Sequence, residues 1–132
     1  MNNLREAQTL VAQLFALEIF LAFGSKSFAA THYVDASDIN ATPPYLSWFT
    51  AATNIQNAVD AAVAGDEIVV TNGIYADVDV NKAVTVRSVN GAQFTTIDGG
   101  GNRRCVHLVS EASLLGFTLT HGAGFGGGGA FA

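Results

Sequence analysis

One cysteine, Cys105, in 132 residues leaves no disulfide scaffold and no zinc site built mainly from thiolates. Basic side chains are scarce. Six Lys and Arg face eleven Asp and Glu, a formal charge of −5 that argues against nucleic acid or an anionic membrane as a partner. Charge of either sign is sparse, at 13% of residues against 49% hydrophobic, which excludes disorder as the general state. No apolar run reaches the roughly 20 residues that a membrane-spanning helix needs. The two prolines stand side by side at Pro43 and Pro44, so little else in the chain is barred from regular structure. What is plentiful is glycine, 14 residues, in a length suited to one ordinary domain.

The first thirty residues read as an address. Arg5 opens a weakly basic start that Glu6 neutralises. Leu10 to Phe23 is apolar except at Gln13 and Glu18, and Ser27-Phe28-Ala29 has the small-x-small pattern that signal peptidases accept. Residues 1–29 are therefore expected to be a signal peptide, cut after Ala29 or Ala30, that makes the protein secreted or cell-surface. The alternative is an amphipathic helix that stays and packs on the domain; Glu18 and Lys26 are the departures from an ideal signal. The remaining chain keeps the whole charge of −5, from nine acids and four bases.

Beyond Ala30 the pattern changes twice. His32 to Asp35 is a short strand candidate, followed by a polar loop to Pro44 and an aromatic cluster of Tyr45, Trp48 and Phe49. Thr53-Asn54-Ile55-Gln56 has the form of a capping box, and Ile55, Ala58, Val59, Ala62 and Val63 make one apolar helical stripe. Gly65 stands where a glycine would close that helix, predicted over Thr53 to Ala64. After Gly65 come short β-branched runs: 67–71, 76–80, 83–89, 94–98, 105–109 and 113–120. Asn72-Gly73, Asn81-Lys82, Asn90-Gly91 and Asp98 to Asn102 punctuate them.

Two architectures accommodate many short strands with glycine turns. An antiparallel sandwich would use Asn72-Gly73 and Asn90-Gly91 as hairpin turns. A parallel β-helix instead stacks each run on its equivalent about 4.8 Å away. The amphipathic helix favours the second, because the first coil of a β-helix has an open edge and apolar interior that a lid must cover.

The ordered series Tyr33-Val34-Asp35, Pro43-Pro44-Tyr45, Trp48, Ala51 to Ala62, Gly65 to Val70 and Asn72-Gly73-Ile74-Tyr75 is similar to the N-terminal region of secreted bacterial right-handed parallel β-helix proteins, of the pectin-lyase-like fold. The likeness continues through Val84 to Ser88, Thr96 to Gly101 and Gly116 to Thr120, and covers roughly residues 32–129. It implies an all-β chain: a right-handed parallel β-helix of two to three N-terminal coils, capped by one amphipathic α-helix. Residues 30–64 would supply the first strand, loop and capping helix, and residues 65–132 the first coils. Relatives usually carry more coils, so the resemblance implies a truncated chain whose partners include downstream coils. The fold hosts lyases, hydrolases, adhesins and surface proteins, so it does not set an activity.

Candidate chemistry is thin. Asp77 and Asp79 flank Val78 and would share one side of a strand, but two carboxylates are too few for calcium. Asp98, before three glycines, reads as an Asx turn. Lyases of the resembling fold use an Arg or Lys base beside acidic calcium ligands. The available bases, Lys82, Arg87, Arg103 and Arg104, show no neighbouring acidic cluster in the sequence, and no catalytic role is transferred to them. Nor is there an Asp-Asp pair of the kind hydrolases of that fold use. His32, His107 and His121 read as ordinary surface residues, and Cys105 as a buried small hydrophobe or a thiol whose partner lies elsewhere. Asn40-Ala41-Thr42 matches a glycosylation pattern, and Gly124 to Gly129 lacks the lysine of a phosphate loop.

The expectation is a capping segment of an exported β-helix protein that binds a polysaccharide or cell-surface glycan. No catalytic, cofactor-binding or metal-binding residue is assigned to it, and no cofactor, nucleic acid or membrane span is expected. The alternative is the first part of a polysaccharide lyase or glycoside hydrolase whose active site lies downstream.

Overall fold

A computed structural model describes residues 28–124 and the backbone of 130–131. All but the last two residues of the expected signal peptide lie outside these, as do residues 125–129 of the glycine tail. Among these residues the regular structure is mostly strand, with one α-helix. It begins with β1 (Thr31–Val34), a 3-10 turn (Trp48–Thr50) and α1 (Ile55–Ala61). There follow β2 (Glu67–Val70), β3 (Gly73–Ala76), β4 (Val78–Val80), β5 (Thr85–Ser88) and β6 (Thr95–Asp98). The last are β7 (Val106–Leu108), β8 (Ser113–Leu115), β9 (Thr118–Thr120) and β10 (Ala130–Phe131).

These strands sort into three sheets, in the orders β1-β2-β5-β8, β3-β6-β9 and β4-β7-β10. Every pairing is parallel. After α1 the chain passes through the first, second and third sheets in that order, three times. Equivalent residues therefore stand side by side: Ile68 beside Val86 beside Leu114, Tyr75 beside Ile97 beside Leu119, Val78 beside Val106. Alternation sends every second side chain inward, and one apolar cluster draws on all three sheets. Burying each Val or Ile of that cluster contributes about 1.5–3 kcal/mol.

The parallel pairing excludes the antiparallel sandwich. Asn72-Gly73 leads from the first sheet into the second instead of reversing the chain, and the Asn90 side chain, which follows β5 as Asn72 follows β2, donates to Asn72 Oδ1 at 2.7 Å. Two predicted strands are each divided by a corner. The run 76–80 breaks at Asp77, separating β4 from a strand β3 that the glycine at 73 had masked. The run 113–120 breaks at Gly116, whose φ of 80° and approach to Ser88 leave no room for a side chain.

The helix is shorter than expected and begins differently. Asn54, not Thr53, is its N-cap, accepting from the Asn57 N–H at 2.8 Å. Ala62 ends it, so Val63 is exposed although the stripe placed it inward, and Gly65 lies beyond the cap. Ile55, Ala58, Val59 and Ala62 are buried in the cluster, and α1 packs on β1, β2 and β4. Gln56 does not reach back to Thr53. Its amide oxygen accepts from the Asp79 N–H at 2.9 Å and its nitrogen donates to the Asp79 carbonyl at 3.2 Å. Within β4, bonds to the neighbouring strand use Val78 N–H and the Val80 carbonyl, so Asp79 faces the open side and Gln56 stands in for a strand there. Lys82 closes the other end of α1, its ammonium donating to the carbonyls of Val59, Asp60 and Ala62 at 2.9, 3.0 and 2.7 Å.

His32 corrects the expectation of a surface histidine: it is 3% exposed and points inward from β1. Its Nδ1 meets the Pro44 carbonyl at 2.7 Å and its Nε2 the Asp66 carboxylate at 2.9 Å. Asp66 is 4% exposed and also accepts from the Ala30 and Val63 N–H groups, each at 2.9 Å. Burial pushes this carboxyl up, but the Val63 and Ala30 N–H groups and the His32 ring outweigh it and hold it below its ordinary value. One carboxylate thus ties together the start of β1, the end of α1 and the proline loop.

Candidate functional site

Beside the third sheet several polar side chains come together. Alternation on β4 sends Val78 and Val80 inward and leaves Asp79 outside. Parallel register places His107 of β7 directly beside it, and His107 Nδ1 lies 2.9 Å from Asp79 Oδ1. Asp77, at the corner before β4, points toward Arg103, with Nη1 to Oδ2 at 3.8 Å. That distance is a loose ion pair in solvent, so the guanidinium, 71% exposed, keeps donors available.

The loop between β6 and β7 forms the opposite wall. Its shape follows from residues 98–101. Asp98 accepts from the Gly100 N–H at 2.8 Å, the expected Asx turn, and from His121 Nδ1 at 3.1 Å. The Gly100 N–H first, and His121 after it, hold the Asp98 carboxyl below its ordinary value. A Cβ at Gly99 would meet the Arg103 carbonyl at 2.6 Å and the His121 carbonyl at 2.9 Å, so only glycine allows the loop to fold back. Gly101 N–H donates to His121 and Ala123 N–H to Arg103, which sews this loop to the segment after β9.

Together these elements line an open cleft of about 690 Å³ with Asp77, Val78, Asp79, Asn102, Arg103, Arg104, His107, Ala123 and Gly124. The volume falls within the range of small-ligand sites. Two carboxylates face two guanidinium groups, so the lining is balanced in charge and dense in hydrogen-bonding groups.

The structure brings Asp77, Asp79, Arg103, Arg104 and His107 into one place. The sequence shows no acidic cluster beside Arg103-Arg104, and the structure gives Arg103 an acidic neighbour in Asp77, at 3.8 Å. The sequence hides this, because β4 and β7 stand in register across three loops of unequal length. Other candidates stand apart. Arg87 donates to Glu67 on the outer face of the first sheet, and Lys82 serves α1. Cys105 is a fully buried thiol whose Sγ donates to the Thr120 carbonyl. Asp77 and Asp79 engage different partners, and among the described residues no three His, Cys, Asp or Glu side chains are grouped to hold a metal ion. Among the same residues no helix is long and apolar enough to cross a membrane.

Family models, curated proteins and solved structures yield no match to this chain. The functional reading therefore rests on the geometry.

Proposed function

We propose that this chain is the helix-capped first part of an exported right-handed parallel β-helix, a non-catalytic segment that binds a polysaccharide or cell-surface glycan. The observation that carries this reading is the repeated passage through three all-parallel sheets in one order. Parallel crossovers in proteins are nearly always right-handed, which supports the proposed hand. The burial of α1 against β1, β2 and β4 supports its role as a lid. The ligand surface is the third-sheet cleft, where Asp79, Asn102, Arg103 and His107 offer paired donors and acceptors to ring hydroxyls.

Retention of the full chain on a panel of neutral and acidic polysaccharides tests the reading. Binding to at least one polymer, weakened by Arg103→Ala, is the expected result; retention on none overturns it. The second reading, the first part of a polysaccharide lyase or glycoside hydrolase, draws on the carboxylates and arginines gathered in that cleft. Release of unsaturated products from pectin or alginate by this chain would favour it over a non-catalytic role.

A further inference from the structure

We infer that Trp48 and Phe49, beside Tyr33, form an aromatic platform for a neutral polysaccharide, separate from the third-sheet cleft. The inference rests on the glycan-binding reading above and adds where and what kind of glycan is held. Phe49 is 75% exposed, Leu46 54% and Trp48 43%, so these side chains contribute little to the core. The segment carrying them is nevertheless firmly held. Tyr33 N–H donates to the Tyr45 carbonyl, Thr42 N–H to the Thr50 carbonyl, and Ala51 N–H to the Asp38 carboxylate. Tyr45, buried, adopts a φ of 64°, a conformation that a non-glycine residue keeps only where its surroundings impose it. A polar network thus fixes apolar rings in solvent, the reverse of what stability alone requires.

The indole is steadied without being covered. Trp48 and Tyr33 meet edge to face, with ring centroids 4.6 Å apart and planes at 65°. Sugar rings present flat patches of polarised C–H bonds, which aromatic faces accept, while hydroxyls at the rim hydrogen-bond to polar neighbours. Ser47 and Thr50, whose hydroxyls lie 2.9 Å apart, supply such groups beside the rings. A pre-ordered platform avoids the entropy cost of arranging it on binding.

Charge selects the polymer. Between Lys26 and Lys82 the sequence has no Lys or Arg and seven Asp or Glu. The charged residues of the ring-bearing stretch itself, residues 31–52, are Asp35 and Asp38, so a polyuronate or an anionic lipid surface meets like charge beside the rings, which costs affinity for the wrong partner. A neutral glycan meets no such penalty.

Trp48 is the chain's only tryptophan, so its emission reports the platform directly. The full chain is titrated with xyloglucan, mixed-linkage β-glucan and galactomannan, with polygalacturonate and with phosphatidylcholine vesicles. A saturable emission shift with at least one neutral polymer and none with polygalacturonate is expected. Phe49→Ala, at an exposed position, should weaken that titration at least about fivefold with an unchanged circular dichroism spectrum. Trp48→Ala should weaken retention on the same polymer. A shift with polygalacturonate, a shift with vesicles, or none with any neutral polymer overturns the inference. If Arg103→Ala abolishes retention while Trp48→Ala and Phe49→Ala leave it intact, the glycan-binding reading stands and the platform falls. Retention on no polymer removes both.

Discussion

Replacing Asp66 with Asn tests the buried knot at the start of the domain. Asp66 Oδ2 accepts from both His32 Nε2 and Val63 N–H, while Oδ1 accepts from Ala30 N–H. An Asn side chain keeps one acceptor oxygen. Turned one way, its NH2 group faces two donors; turned the other, it faces one. In either case the His32 ring, 3% exposed, loses its carboxylate. Breaking a buried pair on one side costs about 3–5 kcal/mol. Two lost hydrogen bonds to a charged group, at about 1.5–3 kcal/mol each, bracket the same range. For a domain of this size that lowers Tm by on the order of 20 °C. Urea unfolding at neutral pH, followed by Trp48 emission and by circular dichroism, measures the loss. The paired substitution His32→Gln should cost far less in the Asp66→Asn background than in the wild type, because both act on one interaction. A loss below about 1 kcal/mol, or strict additivity of the two substitutions, would refute the reasoning.

Other expectations follow from the same contacts. The Asp66 carboxyl lies below its ordinary value of about 3.9, so its contribution is complete above that value and is lost as pH falls through the depressed one. Acid unfolding monitored by circular dichroism should therefore begin below pH ~4 in the wild type, and Asp66→Asn should remove this limb. Lys82→Met deletes the ammonium that serves three carbonyls at the end of α1, and a loss of about 1–3 kcal/mol in urea unfolding is expected. Gly116→Ala forces a Cβ to within 2.5 Å of Ser88 Oγ at a φ of 80°, and thermal melting should show a loss of at least about 1 kcal/mol. Cys105 is fully buried, so a thiol reagent should modify it only at the rate of unfolding, as stopped-flow labelling against urea will show.

What was legible in the sequence follows from what local patterns encode. The stripe at Ile55, Ala58, Val59 and Ala62 marks a helix face, because burial repeats with the helical period, and these four residues are buried. The β-branched runs locate β2, β5, β6 and β7 to within two residues. Corners were less visible. A bend at Asp77 needs no glycine, so β3 and β4 read as a glycine turn followed by one strand. His32 looked superficial because its partners, Asp66 and Pro44, are 34 and 12 residues away. The cleft was hidden for a related reason: Asp79 and His107 meet only through parallel register, and loops of different length erase that spacing from the sequence. Asp98 was legible because its turn is closed within two residues.

The two ends of the sheets are finished unequally. At the first edge two of the three outermost strands have a substitute partner: the Ala52 backbone lies against β1, and the Gln56 amide lies against Asp79 of β4. At the far side β8 and β9 are outermost in their sheets, and neither Ser113-Leu114-Leu115 nor Thr118-Leu119-Thr120 includes a charged residue. Leu114, Phe117 and Leu119 are only partly buried there. Natural sheets protect edges with charges, prolines or covers, and β8 and β9 carry neither of the first two. On the first side the Gln56 side chain of α1 already holds the hydrogen-bonding groups that a strand beside Asp79 would take.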